Sequence, residues 1–201
     1  MRDFGDSELN PVPLWFQAPR EAIDHVLGAS YCDLGPDFLC FEHFYHAVSK
    51  TWPHEYRVFD IGGFSGLQGW LFDNFAYYLN VDRVGFNVRS PLPDDFCHIM
   101  ADGCDFLLEY EAEVGFGEHD LFICSAVPDK SVREAVKRAP NHVIWYPGEE
   151  MDTSGPFGEA TKRYFDALRR SDWRERADKA IFTLLDNENE AFCRAKQALL
   201  V

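Results

Sequence analysis

Three clustered glycines that follow an acid are the residues with the clearest chemical potential in this chain. The run from Tyr56 to Gly66 passes from apolar residues through Asp60 to Gly62 and Gly63. Glycine accepts a positive φ and lets a ligand approach the backbone without a Cβ in the way. A helix that starts at such a turn also points its free N–H groups into it. The pattern therefore predicts a strand, a tight turn and a helix start around a nucleotide-like ligand.

A helix is predicted directly after this turn. Apolar residues recur there at spacings of three and four, which indicates one buried stripe on a helix. The stripe consists of Leu67, Trp70, Leu71, Phe75 and Tyr78. We expect this helix to pack on a sheet.

The glycine run resembles the first motif of class I S-adenosylmethionine-dependent methyltransferases, in which an apolar strand and an acid precede Gly-x-Gly-x-Gly or a variant. Phe64 stands where the middle glycine usually lies. The resemblance implies that Asp60 organises the loop near the methionine end of the cofactor. It places the cofactor against Asp60, Gly62, Gly63, Phe64, Ser65 and Gly66. A glycine turn is also what any doubly wound α/β protein needs at this point, so the pattern by itself is weak.

The same residues also fit a second family. The run 63–69 reads Gly-x-x-Gly-x-x-Gly, which resembles the dinucleotide turn of short-chain NAD(P)-dependent reductases. In that interpretation Arg89 receives the 2′-phosphate of NADP. Two features favour the methyltransferase instead: a long segment precedes Tyr56, and no tyrosine has a lysine four places on.

Strand and helix patterns alternate from residue 56 onward, which is typical of a mainly parallel sheet with helices on both faces. The predicted strands are 57–61, 83–88, 98–101, 121–125, 142–146 and 179–185. Together with the resemblance, this predicts a doubly wound α/β fold of the Rossmann-like methyltransferase type. We expect one domain over 1–201, with a core at 56–201 and an N-terminal helical cap at 1–55.

The cap region contains two predicted helices. The first covers 19–27, with a proline near its start and Gly28 after its end. The second covers 36–50 and has a mostly apolar, aromatic-rich face formed by Phe38, Leu39, Glu42, Tyr45, His46 and Ser49. The resemblance implies that such helices cover the cofactor cleft, and plain packing against the sheet is the alternative.

Residues at the ends of predicted strands are further candidates, because ligands bind beyond the carboxyl ends of strands in open α/β sheets. Asn87 ends the second strand, where the resemblance implies a residue that holds the ribose hydroxyls; Asp82 is expected to precede that strand. Asp102 and Gly103 follow the third strand, where the resemblance implies contact with the adenine amino group. Asp102 is equally suited to cap a helix. Ser125 ends the fourth strand, where cofactor and substrate are expected to meet.

No catalytic set can be identified from the sequence. Methyl transfer needs an aligned acceptor and, for a poor nucleophile, a base. The candidate bases are Asp129, His142, Tyr146 and Glu149, and their spacing distinguishes none of them. The expected function is therefore methyl transfer from S-adenosylmethionine to a small molecule or protein. A catalytically inactive interaction module with the same fold is a further alternative.

The charge balance limits the class of partner. The formal net charge is −15, with 34 acidic and 19 basic residues. Proteins that bind nucleic acids neutralise phosphates with clustered Lys and Arg, so this balance argues against a nucleic-acid partner. The basic run 162–176 is interspersed with acids, which is typical of a solvated helix face. The sequence does not predict an oligomeric state.

Targeting and metal signals are weak throughout the chain. No apolar run approaches the roughly twenty residues that span a bilayer, and residues 1–20 lack the form of a signal peptide. The six cysteines include no Cys-x-x-Cys pair, so we expect reduced thiols and a cytoplasmic location, away from membranes.

The one candidate metal set is Cys32, Cys40, His43 and His46, whose spacing differs from that of zinc sites, so no metal is expected.

Overall fold

A computed structural model describes residues 9, 11, 37–64, 66–83, 96–173 and 175–176. The predicted helix 19–27, the predicted strand 179–185 and the candidates Ser65 and Asn87 lie outside the described residues. In the part of the chain that is described, no helix is both long and apolar enough to cross a membrane.

A mostly parallel sheet of six strands forms the centre of the structure. Its strands are β1 (Arg57–Ile61), β2 (Tyr77–Asp82), β3 (Phe96–Met100), β4 (Asp120–Ser125), β5 (His142–Trp145) and β6 (Asp152–Ser154). Their order in the sheet is β3-β2-β1-β4-β5-β6. The first five strands pair in parallel, whereas β6 is antiparallel to β5. This is the order of a doubly wound sheet, so the predicted α/β class is confirmed.

Helices cover both faces of the sheet. They are α1 (Asp37–Thr51), α2 (Gly103–Glu113), α3 (Lys130–Val136), α4 (Gly158–Arg170) and a short 3₁₀-helix (Leu67–Phe72). Carboxylates cap two of them, since Asp102 accepts from the backbone of α2 and Asp129 from that of α3. The predicted helix 36–50 corresponds to α1.

Successive side chains of each strand point to opposite faces of the sheet, and this creates two separate cores. In β1, Val58 belongs to one core, and Phe59 and Ile61 belong to the other. The first core lies between the strands and α1, the 3₁₀-helix and α4, and its members include Phe44, Phe72, Leu121, Val143 and Leu168. The second core lies between the strands and α2 and α3, and its members include Leu79, Leu107, Phe122, Val132 and Ile144. We refer to these two sides of the sheet as the α1 face and the α2 face.

The prediction of one long helix after the glycine turn was wrong. Only Leu67–Phe72 is helical, and the chain then enters β2, in which Tyr78 lies beside Val58. The residues of the predicted stripe nevertheless share one core, which contains Leu67, Leu71, Phe75 and Tyr78 and against which Trp70 packs. Periodicity did not reveal that a strand supplied the last of them.

The predicted position of the second strand was also wrong, because its residues had been assigned to the helix after the glycine turn. It was predicted at 83–88, but the strand beside β1 is Tyr77–Asp82. Asp82, which was expected to precede the strand, is its last residue. This shift places a carboxylate at the edge of the sheet where ligands bind in open α/β folds.

Candidate ligand site at the switch point of the sheet

A cavity of about 410 Å³ lies at the carboxyl ends of β1, β2 and β4. Strand order reverses between β1 and β4, which is where open α/β sheets leave a crevice for ligands. The strand ends contribute Ile61, Gly62, Val81, Asp82 and Ser125 to its wall. The sequence predicted a site at this edge, and the cavity lies there.

The glycine turn is fixed to β2 by hydrogen bonds. Gly62 N–H donates to the Val81 carbonyl at 2.7 Å, and Phe64 N–H donates to Asp82 Oδ2 at 2.8 Å. The Phe64 carbonyl accepts from Asn80 Nδ2 at 2.9 Å. Phe64 has a φ of 52°, which non-glycine residues seldom adopt. The position that is usually glycine in the resembling family therefore has the left-handed backbone that glycine favours.

Glycine is required at two positions of the turn because the backbone lies against buried polar side chains. A Cβ on Gly63 would collide with the carboxylate of Asp60 and the amide of Asn80, and a Cβ on Gly66 would lie 2.9 Å from Asn80 Nδ2. Gly62 and Gly63 both line the cavity, and a Cβ on Gly62 would collide with the side chain of Val127, which lines it too. Glycine in the turn therefore lets the backbone pack closely against the side chains around it.

Asp60 lies beneath the turn on the α1 face and is completely buried. Its carboxylate accepts hydrogen bonds from Gln68 Nε2 at 2.7 Å, from Tyr78 OH at 2.7 Å and from Tyr45 OH at 3.3 Å. Burial raises the pKa of Asp60 to about 6, and these three hydrogen bonds oppose the rise. The cavity lining does not include Asp60. Its role in this structure is to hold the turn through Gln68, which also donates to the Gly63 carbonyl.

The rim of the cavity carries one cation between three carboxylates. Arg83 forms ion pairs with Asp102 and, at 3.5 Å, with Asp129. Asp82 is the neighbouring acid on the chain. Asp102 also accepts from Cys104 N–H at 2.8 Å, and the pairing with Arg83 holds the pKa of its carboxyl below the usual range.

The structure thus gives Asp102 its alternative role as a helix cap. Gly103 and Ala101 line the cavity, whereas Asp102 itself does not. A Cβ on Gly103 would lie 2.7 Å from the Ile61 side chain, so glycine here lets α2 approach β1 closely. Contact between Asp102 and an adenine amino group stays a prediction.

Ser125 and Ala126 form the wall of the cavity at the end of β4. Ala126 has a φ of 54°, so both non-glycine residues with positive φ in the described chain line this cavity. Strained backbone of this kind clusters at functional sites. Ser125 is 6% exposed, and its hydroxyl has no hydrogen-bond partner among the described residues. A buried hydroxyl without a partner is uncommon, and this one belongs to a residue of the cavity wall.

The four candidate bases do not converge. Asp129 lines the cavity, but its carboxylate accepts from Ser131 N–H at 2.9 Å as the cap of α3. Tyr146 lies under the Arg133 guanidinium, which also reaches Glu149. The His142 ring contacts the Ala139 carbonyl and Asp152. The described chain therefore offers no grouped acid–base set from this list.

Sequence reasoning missed several residues of the cavity wall, among them Glu42, Tyr45, Gln68, Asp82 and Arg83. A signal existed for two of them. Asp82 stands about twenty residues after Gly62, the separation at which dinucleotide-binding folds place a ribose-binding acid. Glu42 interrupts an aromatic-rich helix face, and the structure buries it to 3% exposure.

Polarity divides the cavity into two halves along the sheet. On the α2 face its wall is apolar and includes Ile61, Val81 and Val132. On the α1 face the wall combines the apolar Leu71 with the polar residues Glu42, Tyr45 and Gln68. Ser125 belongs to the same face, because it continues the alternation of Leu121 and Ile123. We call these parts the apolar half and the polar half.

The histidines of the candidate metal set pack against an aromatic ring. His43 and His46 lie 4.9 and 5.1 Å from Trp173, measured between ring centroids. Within the described ranges, no group of three or more His, Cys, Asp or Glu side chains is placed to hold a metal ion. Cys32 lies outside those ranges, and Cys40 lies in α1.

The comparisons with known proteins add no assignment. The sequence matches no protein-family model, and a search of curated proteins gives no significant match.

Proposed function

We propose that the protein is an S-adenosylmethionine-dependent methyltransferase that acts on a small molecule or a protein. The observation that carries the proposal is Asp82, a carboxylate at the end of β2 that is hydrogen-bonded to the glycine turn at the wall of the cavity. A carboxylate in this place is suited to accept hydrogen bonds from the two hydroxyls of a ribose. It takes the role that the sequence had given to Asn87.

The apolar half of the cavity is suited to the adenine ring. Ile61, Val81 and Val132 offer apolar surface, and Gly103 keeps α2 close to the sheet. Flat apolar walls with a few polar groups at the edge are typical of cofactor sites. When bound, the cofactor would supply an electrophilic methyl group on a sulfonium, and the chain would only need to hold the acceptor against it.

Two features favour a sulfonium cofactor over a dinucleotide. The cavity wall has three carboxylates, those of Glu42, Asp82 and Asp129, against the single cation Arg83 among the described residues. A pyrophosphate is repelled by such a wall, whereas a sulfonium is attracted. Dinucleotide folds also place an α-helix N-terminus behind the glycine turn to bind the pyrophosphate. Here a six-residue 3₁₀-helix follows the turn.

A comparison of two cofactors tests the proposal. We expect S-adenosylhomocysteine, the demethylated product, to raise the melting temperature, because a ligand that binds only the folded state adds about 2.7 kcal/mol at 100 times its Kd. NADPH at the same concentration is expected to leave it unchanged. A shift with NADPH and none with S-adenosylhomocysteine would assign the chain to the reductases.

The role of Asp82 predicts a specific loss of affinity. The change Asp82→Asn keeps an oxygen that can accept from Phe64 N–H, so the turn should persist. It removes the charge, which is worth about 1 kcal/mol in a hydrogen bond, and we expect about fivefold weaker binding of S-adenosylhomocysteine by calorimetry. The control is Glu109→Gln on the exposed side of α2. Equal affinity in the two variants would remove Asp82 from the site.

A further inference from the structure

The loop that follows β4 is held by a buried arginine from α3. Arg133 is 8% exposed, and its Nη1 donates to the Val127 carbonyl at 2.5 Å and to the Pro128 carbonyl at 3.1 Å. A guanidinium carries its N–H donors in a fixed plane, so one side chain can bind both carbonyls at once. Val127 and Pro128 line the cavity, whereas Arg133 does not. The arginine therefore acts on the cavity wall from behind.

The loop that follows β5 orients this arginine. The Arg133 guanidinium carbon lies 4.5 Å from the centroid of the Tyr146 ring, and Nη2 lies 3.4 Å from Glu149 Oε1. The side chain of Glu149 is 56% exposed, so water competes for this ion pair and it stabilises the protein little. A buried cation needs hydrogen-bond partners. The two carbonyls after β4 are therefore the main partners of Arg133, and the Tyr146 ring sets the plane of the guanidinium.

Ala126 lies between two fixed points of the backbone. Its N–H donates to the Trp145 carbonyl at 2.8 Å, and the next carbonyl along the chain, that of Val127, is bound by Arg133. The φ of 54° at Ala126 is one that non-glycine residues seldom adopt, and such a backbone persists only where the surrounding contacts over-determine it. These two hydrogen bonds supply that constraint. They also fix Val127, whose side chain packs directly against Gly62.

We propose that Arg133 is a positioning residue of the ligand site. By binding the Val127 and Pro128 carbonyls it keeps Ala126 in its strained conformation and holds Val127 against the glycine turn. Without the guanidinium, Ala126 relaxes to an ordinary backbone conformation, and the cavity wall at the end of β4 changes shape. The identity of the ligand rests on the proposed function, whereas the position of the loop can be measured without any ligand.

Replacement of Arg133 by methionine tests the inference. Arg133→Met keeps an unbranched side chain and removes the donors, and calorimetry should show about tenfold weaker binding of S-adenosylhomocysteine. The matched control is Arg57→Met at the start of β1, the end of the strand away from the cavity, where Arg57 Nε donates to Asp120 Oδ1 at 2.7 Å. It also loses an arginine with its hydrogen bonds, but it should keep the affinity. Unchanged affinity in folded Arg133→Met, or an equal loss in both variants, would overturn the inference.

A double-mutant cycle distinguishes positioning from a general loss of stability. Glycine adopts a positive φ without strain, so the loop needs less support from Arg133 in the Ala126→Gly background. There we expect Arg133→Met to weaken binding only about threefold. An equal loss in the two backgrounds would refute the role of Arg133 at Ala126. Arg133→Lys keeps the charge and one donor group, and about threefold weaker binding is expected. If Arg133→Met does not fold, unchanged affinity in Arg133→Lys would count against the inference.

Amide hydrogen exchange separates this inference from the proposed function, because it needs no ligand. The Ala126 N–H exchanges only when its bond to the Trp145 carbonyl opens, and a loop released by Arg133→Met opens more often. We expect exchange at Ala126 to be about tenfold faster in Arg133→Met and unchanged in Arg57→Met. If S-adenosylhomocysteine does not bind the unaltered protein, the proposed function fails, and faster exchange at Ala126 would still support the positioning role. Unchanged exchange in folded Arg133→Met would contradict it, whichever cofactor binds.

Discussion

Replacement of Gly62 by valine is expected to abolish the binding of S-adenosylhomocysteine. Gly62 has a φ of 78°, which costs a residue with a Cβ about 1 to 2 kcal/mol. It also lines the cavity, and a side chain there would collide with Val127, which lines the cavity beside it. The two side chains can only be accommodated by displacement of the turn or of Val127, which changes the shape of the proposed binding site. Calorimetry with the folded variant measures the loss.

Gly115 provides a matched control for this substitution. It has nearly the same backbone, with a φ of 79°, but its Cβ would have no atom within 4 Å. Gly115→Val should therefore pay a similar cost in folding free energy and keep its affinity. An unchanged affinity in folded Gly62→Val, or an equal loss in both variants, would show that the turn is not the binding site.

The second large effect is expected in the pH dependence of stability, and its cause is Asp60. Its pKa is raised by burial from 3.8 to about 6 in the folded state, so the folded protein keeps a proton that the unfolded chain has already lost. Below about pH 4 the carboxyl is protonated in both states and does not change the free energy of unfolding. Between about pH 4 and pH 6 the free energy of unfolding falls as the pH rises. At 1.36 kcal/mol per pKa unit, the loss is about 3 kcal/mol.

The variant Asp60→Asn isolates this contribution, because it carries no charge at any pH in that window. Urea denaturation of both proteins at several values between about pH 4 and pH 7 gives the free energy of unfolding for each. The difference, variant minus unaltered protein, should rise by about 3 kcal/mol across the window. The exposed Asp73→Asn serves as the control and should show no such rise. Parallel pH profiles for Asp60→Asn and the unaltered protein would contradict a raised pKa at this site.

The sequence predicted those elements whose signal is local. β1, β4 and β5 are short and predominantly apolar, which is typical of strands buried on both faces, and they lie close to the predicted positions. The glycine turn after Asp60 was also predicted, as was its place at the carboxyl edge of the sheet. Capping by Asp102 was one of the two roles predicted for that residue, and its side chain accepts from the first backbone N–H groups of α2.

The second strand could not be placed from periodicity. Leu67, Leu71, Phe75 and Tyr78 fit a helical stripe equally well whether one helix or a 3₁₀-helix followed by a strand supplies them. Pairing with β1 decides between the two possibilities, because Tyr78 can pair with Val58 only if the chain is a β-strand from Tyr77 onward. Register is a contact between distant parts of the chain, and no window of sequence contains it.

The sequence by itself determined the α/β class, the glycine turn and a net negative charge that argues against nucleic acid. Tertiary structure decided which polar side chains share the cavity. Pairing of β2 with β1 brought Asp82 to the turn, and packing of α1 on the sheet brought Glu42 to the same wall. The type of each residue and the local pattern around it can be read directly from the sequence. Its partners and its burial follow from how the elements pack, and those two quantities determine what a carboxylate can bind.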